Sequence, residues 1–269
     1  MTEFPVSASG KSAVEVAREC AREAGVLMRA GFGRVGVSAV KGRGNVLTET
    51  DLACEAAVHR ILGREYPGHA ILSEETAADT RSDGWLWVVD PVDGTKNFSR
   101  GIPHFCFSMA LCLAGEPLLG LTYQPLLDEE ILAVDGEGCR LNGQPCTVTA
   151  CERVVDAVVA LDMGYDDARG ARQLALAQHL WPGMQSLRVS GSAALGLAWV
   201  AAGRWDVFVH VDLQPWDIAA GLVLVRAAGG LVTDRDGAPA TIYSTSAVAA
   251  GPALHGPFMA LAGQVAWRA

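Results

Sequence analysis

Apolar residues recur at helical spacing near the start of the chain, with charged residues between them. The stripe is formed by Val16, Cys20, Ala24 and Leu27. Because one face of a helix repeats every 3.6 residues, this pattern predicts an amphipathic helix over residues 12–30. Gly31 and Gly33 end it, and a second helix is predicted from about Thr50 to Tyr66.

Short apolar runs, separated by turn residues, follow the two helices and predict a sheet of sequential strands. The predicted strands cover residues 69–72, 85–89, 105–113, 118–123 and 130–134. The turn residues between 136 and 143 predict a hairpin after the last of them.

The second half of the chain alternates strands and helices, which is typical of α/β packing. Strands are predicted at 157–161, 185–189, 206–209, 231–233 and 246–249, and helices at 169–180, 191–202, 215–228 and 256–268. We therefore predict an α+β half over residues 1–150 and an α/β half over residues 151–269.

Composition indicates a folded protein with a full core. Half of the 269 residues are hydrophobic and the mean hydropathy is +0.23, which argues against disorder. The formal net charge of -9 argues against general nucleic-acid binding. The longest apolar runs fall short of the roughly 20 residues that span a bilayer. With seven cysteines, no C-x-x-C pair and no evident signal peptide, we expect a cytoplasmic protein with free thiols and no membrane partner.

The strongest chemical signal lies between Trp87 and Phe98. An apolar strand leads into Asp90 and Asp93, which a proline-bearing turn is predicted to separate, and Gly-Thr follows at a predicted helix start. Two carboxylates at the end of a buried strand need a cation to stay charged together. Backbone N–H groups at a helix start suit phosphate. The segment therefore predicts divalent metals with a phosphate ester between them.

Other acidic residues have ordinary structural explanations as well as chemical ones. Asp51 can cap the second helix, and Asp217 lies in a first turn, where the helix dipole favours negative charge. The pair Glu74-Glu75 can be a solvated strand end, and Asp90 to Gly94 can be a plain turn. Their joint occurrence beside segments predicted to be buried favours a shared cation site.

Three separated motifs resemble those of the inositol monophosphatase family of magnesium-dependent, lithium-sensitive phosphatases. They are Ser73-Glu74-Glu75, Asp90-Pro91-Val92-Asp93-Gly94-Thr95, and Trp216-Asp217-Ile218-Ala219-Ala220-Gly221 running on to Ala228-Gly229-Gly230. Their order and spacing fit the family across nearly the whole chain. The resemblance implies an α/β fold of the layered αβαβα sandwich type, a homodimer, and hydrolysis of a small phosphorylated metabolite.

The resemblance also implies the ligands of two Mg²⁺ ions. Glu74, Asp90 and the carbonyl of Val92 would hold one ion, and Asp90, Asp93 and Asp217 the other. Glu74 would also face a third, weaker site. Because side chains alternate along an extended segment, only one of the two glutamates can reach the metals, and Glu75 is predicted to support the site from behind.

Catalytic roles follow from the same resemblance. Gly94 and Thr95 would offer N–H groups to the phosphate, while Asp51 and Thr95, with Glu74, would orient the attacking water. Lys41 matches a lysine on the family's mobile catalytic loop. A positioned acid or base increases the reaction rate only about 10²–10⁴-fold, whereas phosphatases accelerate hydrolysis of their esters by up to ~10²¹-fold. We therefore expect direct in-line attack, with one ion acidifying the water, the other stabilising the alkoxide, and no phospho-enzyme.

The alcohol part of the substrate is expected to meet the second half of the chain, along with Asp93 and Asp217. Gly191, Ser192 and Ala193 match a helix start that binds sugar hydroxyls, although a plainly capped helix is the structural alternative. His210 departs from the glutamate of inositol-specific members, and a neutral imidazole can donate or accept.

Several substrates and functions therefore stay open. Inositol-1-monophosphate-like esters come first, and histidinol phosphate, fructose bisphosphate, NADP and nucleotide 3′-phosphates are the alternatives. A non-catalytic regulatory or scaffold protein and a Ca²⁺-binding structural module are rivals of other classes.

Overall fold

Helix pairs and β-sheets alternate in five layers through the described part of the chain. The structure is a computed structural model, and it describes residues 4–34, 36–40, 46–76 and 82–268. The layers run helix pair, sheet, helix pair, sheet, helix pair. The predicted αβαβα sandwich is therefore confirmed.

The first layer consists of α1 (Ala13–Gly31) and α2 (Glu49–Glu65), close to the bounds predicted. Ser12 begins α1 through a capping box with Glu15, which satisfies N–H groups that the first turn leaves unpaired. Between the two helices, β1 (Val37–Val40) and β2 (Val46–Thr48) form an antiparallel ribbon that the sequence pattern did not predict.

The second layer is a sheet whose strands lie in sequence order. In the described residues it contains β3 (Ala70–Ser73), β4 (Trp85–Asp93), β5 (Cys106–Leu113), β6 (Glu116–Gln124), β7 (Glu129–Val134), β8 (Gly138–Leu141) and β9 (Gln144–Cys146). The first pair is parallel and the others are antiparallel. A short helix, α3 (Thr95–Ser99), follows β4 where a helix start was predicted.

The third layer, α5 (Ala193–Ala201) and α6 (Pro215–Ala227), lies between two sheets. Both helices are apolar nearly all round, as a helix buried on every side must be. Small residues allow the close approach: a Cβ at Gly120 of β6 would lie 2.5 Å from the carbonyl oxygen of Ala220. This core draws on both halves, since Leu86 and Val88 join Leu197 and Phe208 in one cluster.

The fourth and fifth layers form the far side of the molecule. Their described elements are β10 (Val158–Leu161), α4 (Asp167–Leu180), β11 (Ser186–Val189), β12 (Val207–His210), β13 (Leu231–Thr233), β14 (Ala247–Ala250) and α7 (Pro252–Ala262). The sheet order is β11-β10-β12-β14-β13, with β10 parallel to both of its neighbours.

The last helix differs from the prediction of 256–268. It begins at Pro252, where a missing N–H costs nothing, and ends at Ala262 despite an internal Pro257. Leu254, Phe258 and Ala262 repeat every four residues and are fully buried. Packing of this stripe therefore outweighs the cost of the internal proline.

Among the described helices, none is both long and apolar enough to cross a bilayer. Of the seven cysteines, five are buried and two are partly exposed, all as free thiols.

Candidate metal centre

A β-bulge at the end of β4 brings Asp90 and Asp93 to the same face of the sheet. Asp90 pairs with Ser108 and Asp93 with Cys106, so β4 holds one residue more than β5 over this stretch. Without the extra residue, side chains three positions apart would point to opposite faces. The predicted turn is therefore a bulge within a continuous strand, and Pro91 lies inside it, where prolines are tolerated.

Asp217 reaches the same place from the second half of the chain. It lies in the first turn of α6, which begins at Pro215, and its carboxylate accepts a 2.6 Å hydrogen bond from the backbone N–H of Gln214. One carboxylate oxygen each of Asp90, Asp93 and Asp217 lie within 4.8 Å of one another. We call these three residues the acid cluster.

Burial and mutual repulsion make these carboxylates hard to ionise together. Burial raises the pKa of Asp90 well above its usual range, and the charges of Glu74, Asp93 and Asp217 raise it further. Burial raises the pKa of Asp93 to about 6, against hydrogen bonds that favour its ionised form. Asp217 is half-buried, and its pKa is also raised, by burial first and by Asp93 second. A cation would relieve this repulsion, and carboxylate oxygens are the ligands that Mg²⁺ prefers.

Glu74 lies beside the acid cluster. It follows β3, whose Ser73 is paired in parallel with Val89, so the next position on each strand carries Glu74 and Asp90. It lines one cavity of about 150 Å³ together with Asp90, Val92 and Asp217. Glu75 is half-buried, and its supporting role stays a prediction.

A second group, formed by Asp51 and Thr95, reaches the same cavity through Thr95. The Thr95 hydroxyl lies 2.9 Å from Asp51 Oδ1 and 2.9 Å from the carbonyl oxygen of Val92. It has one proton, so it donates to one of these acceptors at a time. The other Asp51 oxygen accepts from the Thr48 backbone N–H at 3.0 Å and from its hydroxyl. Burial raises the pKa of Asp51, and these hydrogen bonds oppose the rise.

Gly94 allows the chain to turn between the acid cluster and α3. Its φ is +89°, and a Cβ there would lie 3.1 Å from the carbonyl oxygens of both Gly191 and His104. Only glycine combines this conformation with so close an approach. The segment that starts α5 is thereby held against the end of β4.

Asp93 joins the two halves of the chain. Its carboxylate accepts from the backbone N–H groups of Ala193, Ala194 and Leu195 at 3.0–3.3 Å and from the Ser192 hydroxyl. The N–H of Ala193, expected to face sugar hydroxyls, is thus directed at a carboxylate in this structure. The roles of Gly191, Ser192 and Ala193 toward a substrate stay predictions.

His210 is buried at the end of β12, on the wall of a cavity of about 240 Å³ that opens from the acid cluster. Its Nδ1 accepts a 3.1 Å hydrogen bond from the backbone N–H of Asp212. Burial lowers its pKa, while the charges of Asp162 and Asp212 oppose this. Its predicted place near the substrate is compatible with this position.

Two residues of this cavity were missed by sequence reasoning. Asp162 directly follows β10 and accepts from the Ser190 and Gly191 backbone N–H groups at 2.9 and 2.6 Å. Tyr165 lines both cavities. A signal existed, because residues at the carboxyl ends of parallel strands commonly face ligand crevices. Lys41 lies outside the described residues, and its predicted role stays a prediction.

Comparison with known proteins places this geometry in context. The model of the inositol monophosphatase family matches residues 11–266. Inositol monophosphatase 1 of Solanum lycopersicum is 36% identical over 251 residues, which cover 91% of this chain and 92% of that protein. Nus factor SuhB of Pasteurella multocida is 36% identical over 243 residues, or 89% and 91% of the two chains.

The fold is similar to solved structures over almost its full length. The extragenic suppressor protein suhB of Bartonella henselae superposes with a TM-score of 0.88 at 31% identity, covering 94% of this chain and 99% of that one. The similarity therefore extends across both halves and all the elements that carry the acid cluster.

Proposed function

The chain belongs to the inositol monophosphatase family, and from this membership and the acid cluster we propose that it is a Mg²⁺-dependent phosphomonoesterase. The observation that carries the proposal is the convergence of Asp90, Asp93 and Asp217 within 4.8 Å, beside the Asp51–Thr95 pair. Asp90 and Asp93 belong to one half of the chain and Asp217 to the other, so the fold brings the three acids together from distant parts of the sequence.

The donor set fits hard divalent cations. Carboxylates of Glu74, Asp90, Asp93 and Asp217 and the carbonyl of Val92 would hold two ions, and Glu74 would border a weaker third site. When bound, such ions neutralise phosphate charge and make a neighbouring water more acidic. The raised pKa values of Asp90 and Asp217 agree with this geometry, because a bound cation would relieve the repulsion that raises them.

The residues around the metals supply orientation. With the Thr95 proton donated to Asp51, the Thr95 oxygen is left to accept a hydrogen bond from water and so to aim it at phosphorus. The backbone N–H groups of Gly94 and Thr95 would hold the phosphate oxygens. Water then attacks phosphorus in line and the bond from phosphorus to the alcohol oxygen breaks. One proton of the water ends on the departing alcohol oxygen, and the water oxygen stays on the phosphate with the other proton. No side chain becomes phosphorylated in this scheme.

The direct test is phosphate release from inositol 1-phosphate and p-nitrophenyl phosphate with and without Mg²⁺. We expect release that requires Mg²⁺ and is inhibited by Ca²⁺, and no phosphorylated side chain by mass spectrometry. A phosphorylated residue would refute direct attack by water. The proposal also includes a small phosphorylated metabolite as the natural ester, a homodimeric assembly and a cytoplasmic location.

A regulatory role is the second candidate, because relatives as similar as the plant enzymes are named Nus factors. Such a role needs no catalytic water, yet Asp51 and Thr95 keep the contact that positions one. Absence of turnover on every phosphate ester, with Mg²⁺ binding intact, would favour the regulatory role.

A further inference from the structure

The larger of the two cavities beside the acid cluster has apolar residues in its wall. It is lined by Asp93 and Asp217 and also by Met163, Tyr165 and Val189, and we call it the alcohol pocket. Tyr165 also borders the smaller cavity that holds Glu74 and Asp90. A phosphate ester seated at the acid cluster would therefore direct its alcohol along the Tyr165 ring.

The backbone around Tyr165 is held in place before any ligand arrives. Its backbone N–H donates to Asp212 Oδ2 at 2.9 Å. Gly164 has a φ of +64°, and a Cβ there would lie 2.5 Å from the Cβ of Asp212, so the turn sits tightly against that side chain. Lys96 Nζ lies 5.1 Å from the ring centroid, within cation–π range. The residue is still 45% exposed, so its ring has surface left to cover.

Two carboxylates of the alcohol pocket, those of Asp162 and Asp212, are engaged with the protein itself. Besides the backbone donors it holds, Asp162 accepts from the Ser190 hydroxyl at 2.7 Å. Asp212 accepts from Tyr165 and, at 2.6 Å, from Arg169 Nη1. Each oxygen of both carboxylates thus holds at least one protein donor already, so these walls of the pocket are held in place without a ligand.

His210 provides one donor with a fixed direction. Because its Nδ1 accepts from the Asp212 backbone, the neutral ring carries its proton on Nε2. This Nε2 has no hydrogen-bond partner among residues 4–34, 36–40, 46–76 and 82–268, although His210 is only 7% exposed and lines the pocket. Together with the Lys96 ammonium, which lines the same pocket, this N–H offers hydrogen-bond donors beside an aromatic wall.

We propose that the alcohol pocket selects phosphate monoesters whose alcohol carries a planar ring, with Tyr165 as the wall on which that ring packs. Met163 and Val189 complete the apolar surface, and His210 Nε2–H faces an acceptor on the ring. This inference rests on the proposed phosphatase function and narrows its substrate class. Tyr165 is thus a specificity-determining residue.

The test compares benzyl phosphate with glycerol 1-phosphate, which both release a primary alcohol. The wild-type protein is expected to have the higher kcat/KM for benzyl phosphate. Tyr165→Leu should lower that value about tenfold, as expected for loss of an aromatic contact, and change the value for glycerol 1-phosphate less than about twofold. Tyr165→Phe keeps the ring and should resemble the wild type with benzyl phosphate.

The matched control is Tyr243→Leu, since Tyr243 is another partly exposed tyrosine that lies against Gly115 and does not line the pocket. It should leave both kcat/KM values unchanged. A wild-type preference for glycerol 1-phosphate, or an equal loss on both esters in Tyr165→Leu, would overturn the proposal and leave the phosphatase function standing.

Calorimetric measurement of 2-phenylethylphosphonate binding in the presence of Mg²⁺ tests the ring-binding pocket separately from the phosphatase activity. The phosphonate cannot be hydrolysed, and we expect Tyr165→Leu to weaken its binding about tenfold while Tyr243→Leu does not. If this pattern is found but no ester is hydrolysed, the ring-binding pocket stands and the phosphatase function falls. Equal binding by all three proteins would refute the pocket.

Discussion

At the scale of single residues, the Thr95 hydroxyl is the group most directly tied to the proposed water. Thr95→Ala removes the hydroxyl that Asp51 orients, and positioned groups of this kind contribute about 10²–10⁴-fold. We expect kcat to fall about 100-fold or more with KM nearly unchanged. Thr95→Ser keeps the hydroxyl and should retain most of the activity in steady-state assays of phosphate release. A similar loss in both variants would argue that the methyl group, rather than the hydroxyl, matters.

The acid cluster predicts how Mg²⁺ binding depends on pH. The pKa of Asp93 is about 6 in the folded protein, against roughly 3.9 for an ordinary aspartate. In the metal-free protein the protonated Asp93 carboxyl therefore contributes its full stabilisation below about pH 4. This stabilisation is lost as the pH rises through about 6. Mg²⁺ binds the deprotonated acids, so the Mg²⁺-induced increase in Tm should be larger at about pH 7.5 than at about pH 5. Equal increases at both pH values, measured by thermal unfolding, would contradict this.

At the scale of elements, the turn at Gly94 holds the start of α5 against the end of β4. Gly94→Ala would force an L residue to φ +89° and place a methyl 3.1 Å from two carbonyl oxygens. We expect the free energy of unfolding to fall by about 2–4 kcal/mol in denaturant titrations. Gly136→Ala is the control, because Gly136 has φ +79° with nothing within 4 Å of the added Cβ, and it should cost about 1 kcal/mol. Equal losses would mean that the close approach at Gly94 does not matter.

Periodicity predicted the buried elements well and the exposed ones poorly. The apolar stripes of α1 and α2 and the runs of β4 to β7 were legible because one or both faces are buried. The ribbon strand β1 is exposed throughout, so no alternation marks it. The bulge in β4 could not be foreseen, because its register is set by pairing with β5.

The residues of the site also divide into those that the sequence predicted and those that it did not. The acid cluster was predictable because compact motifs carry its members. Asp162 and Tyr165 belong to no such motif, and they reach the cavity only because β10 lies next to β12 in the sheet. The sequence marks them only by their position after the predicted strand 157–161, and the contacts that bring them to the cavity exist only in three dimensions.

At the scale of the whole molecule, one core connects the two halves proposed to divide near residue 150. Leu86 and Val88 of the first half pack in the same cluster as Leu197 and Phe208 of the second. Separating the two halves would expose the apolar surface of this shared core to water. We therefore expect a single cooperative unfolding transition by calorimetry, with equal calorimetric and van't Hoff enthalpies. Two resolved transitions would show that the halves fold independently.

The central claim is that acids from both halves hold the same metal ions. Calorimetric titration of Mg²⁺ into the wild-type protein and into Asp217→Asn at about pH 7.5 tests it most directly, because Asp217 is the member contributed by the second half. We predict saturable binding by the wild type and at least about tenfold weaker binding by Asp217→Asn, with the folded state of both confirmed by circular dichroism. Equal Mg²⁺ affinity in the two proteins would contradict the account.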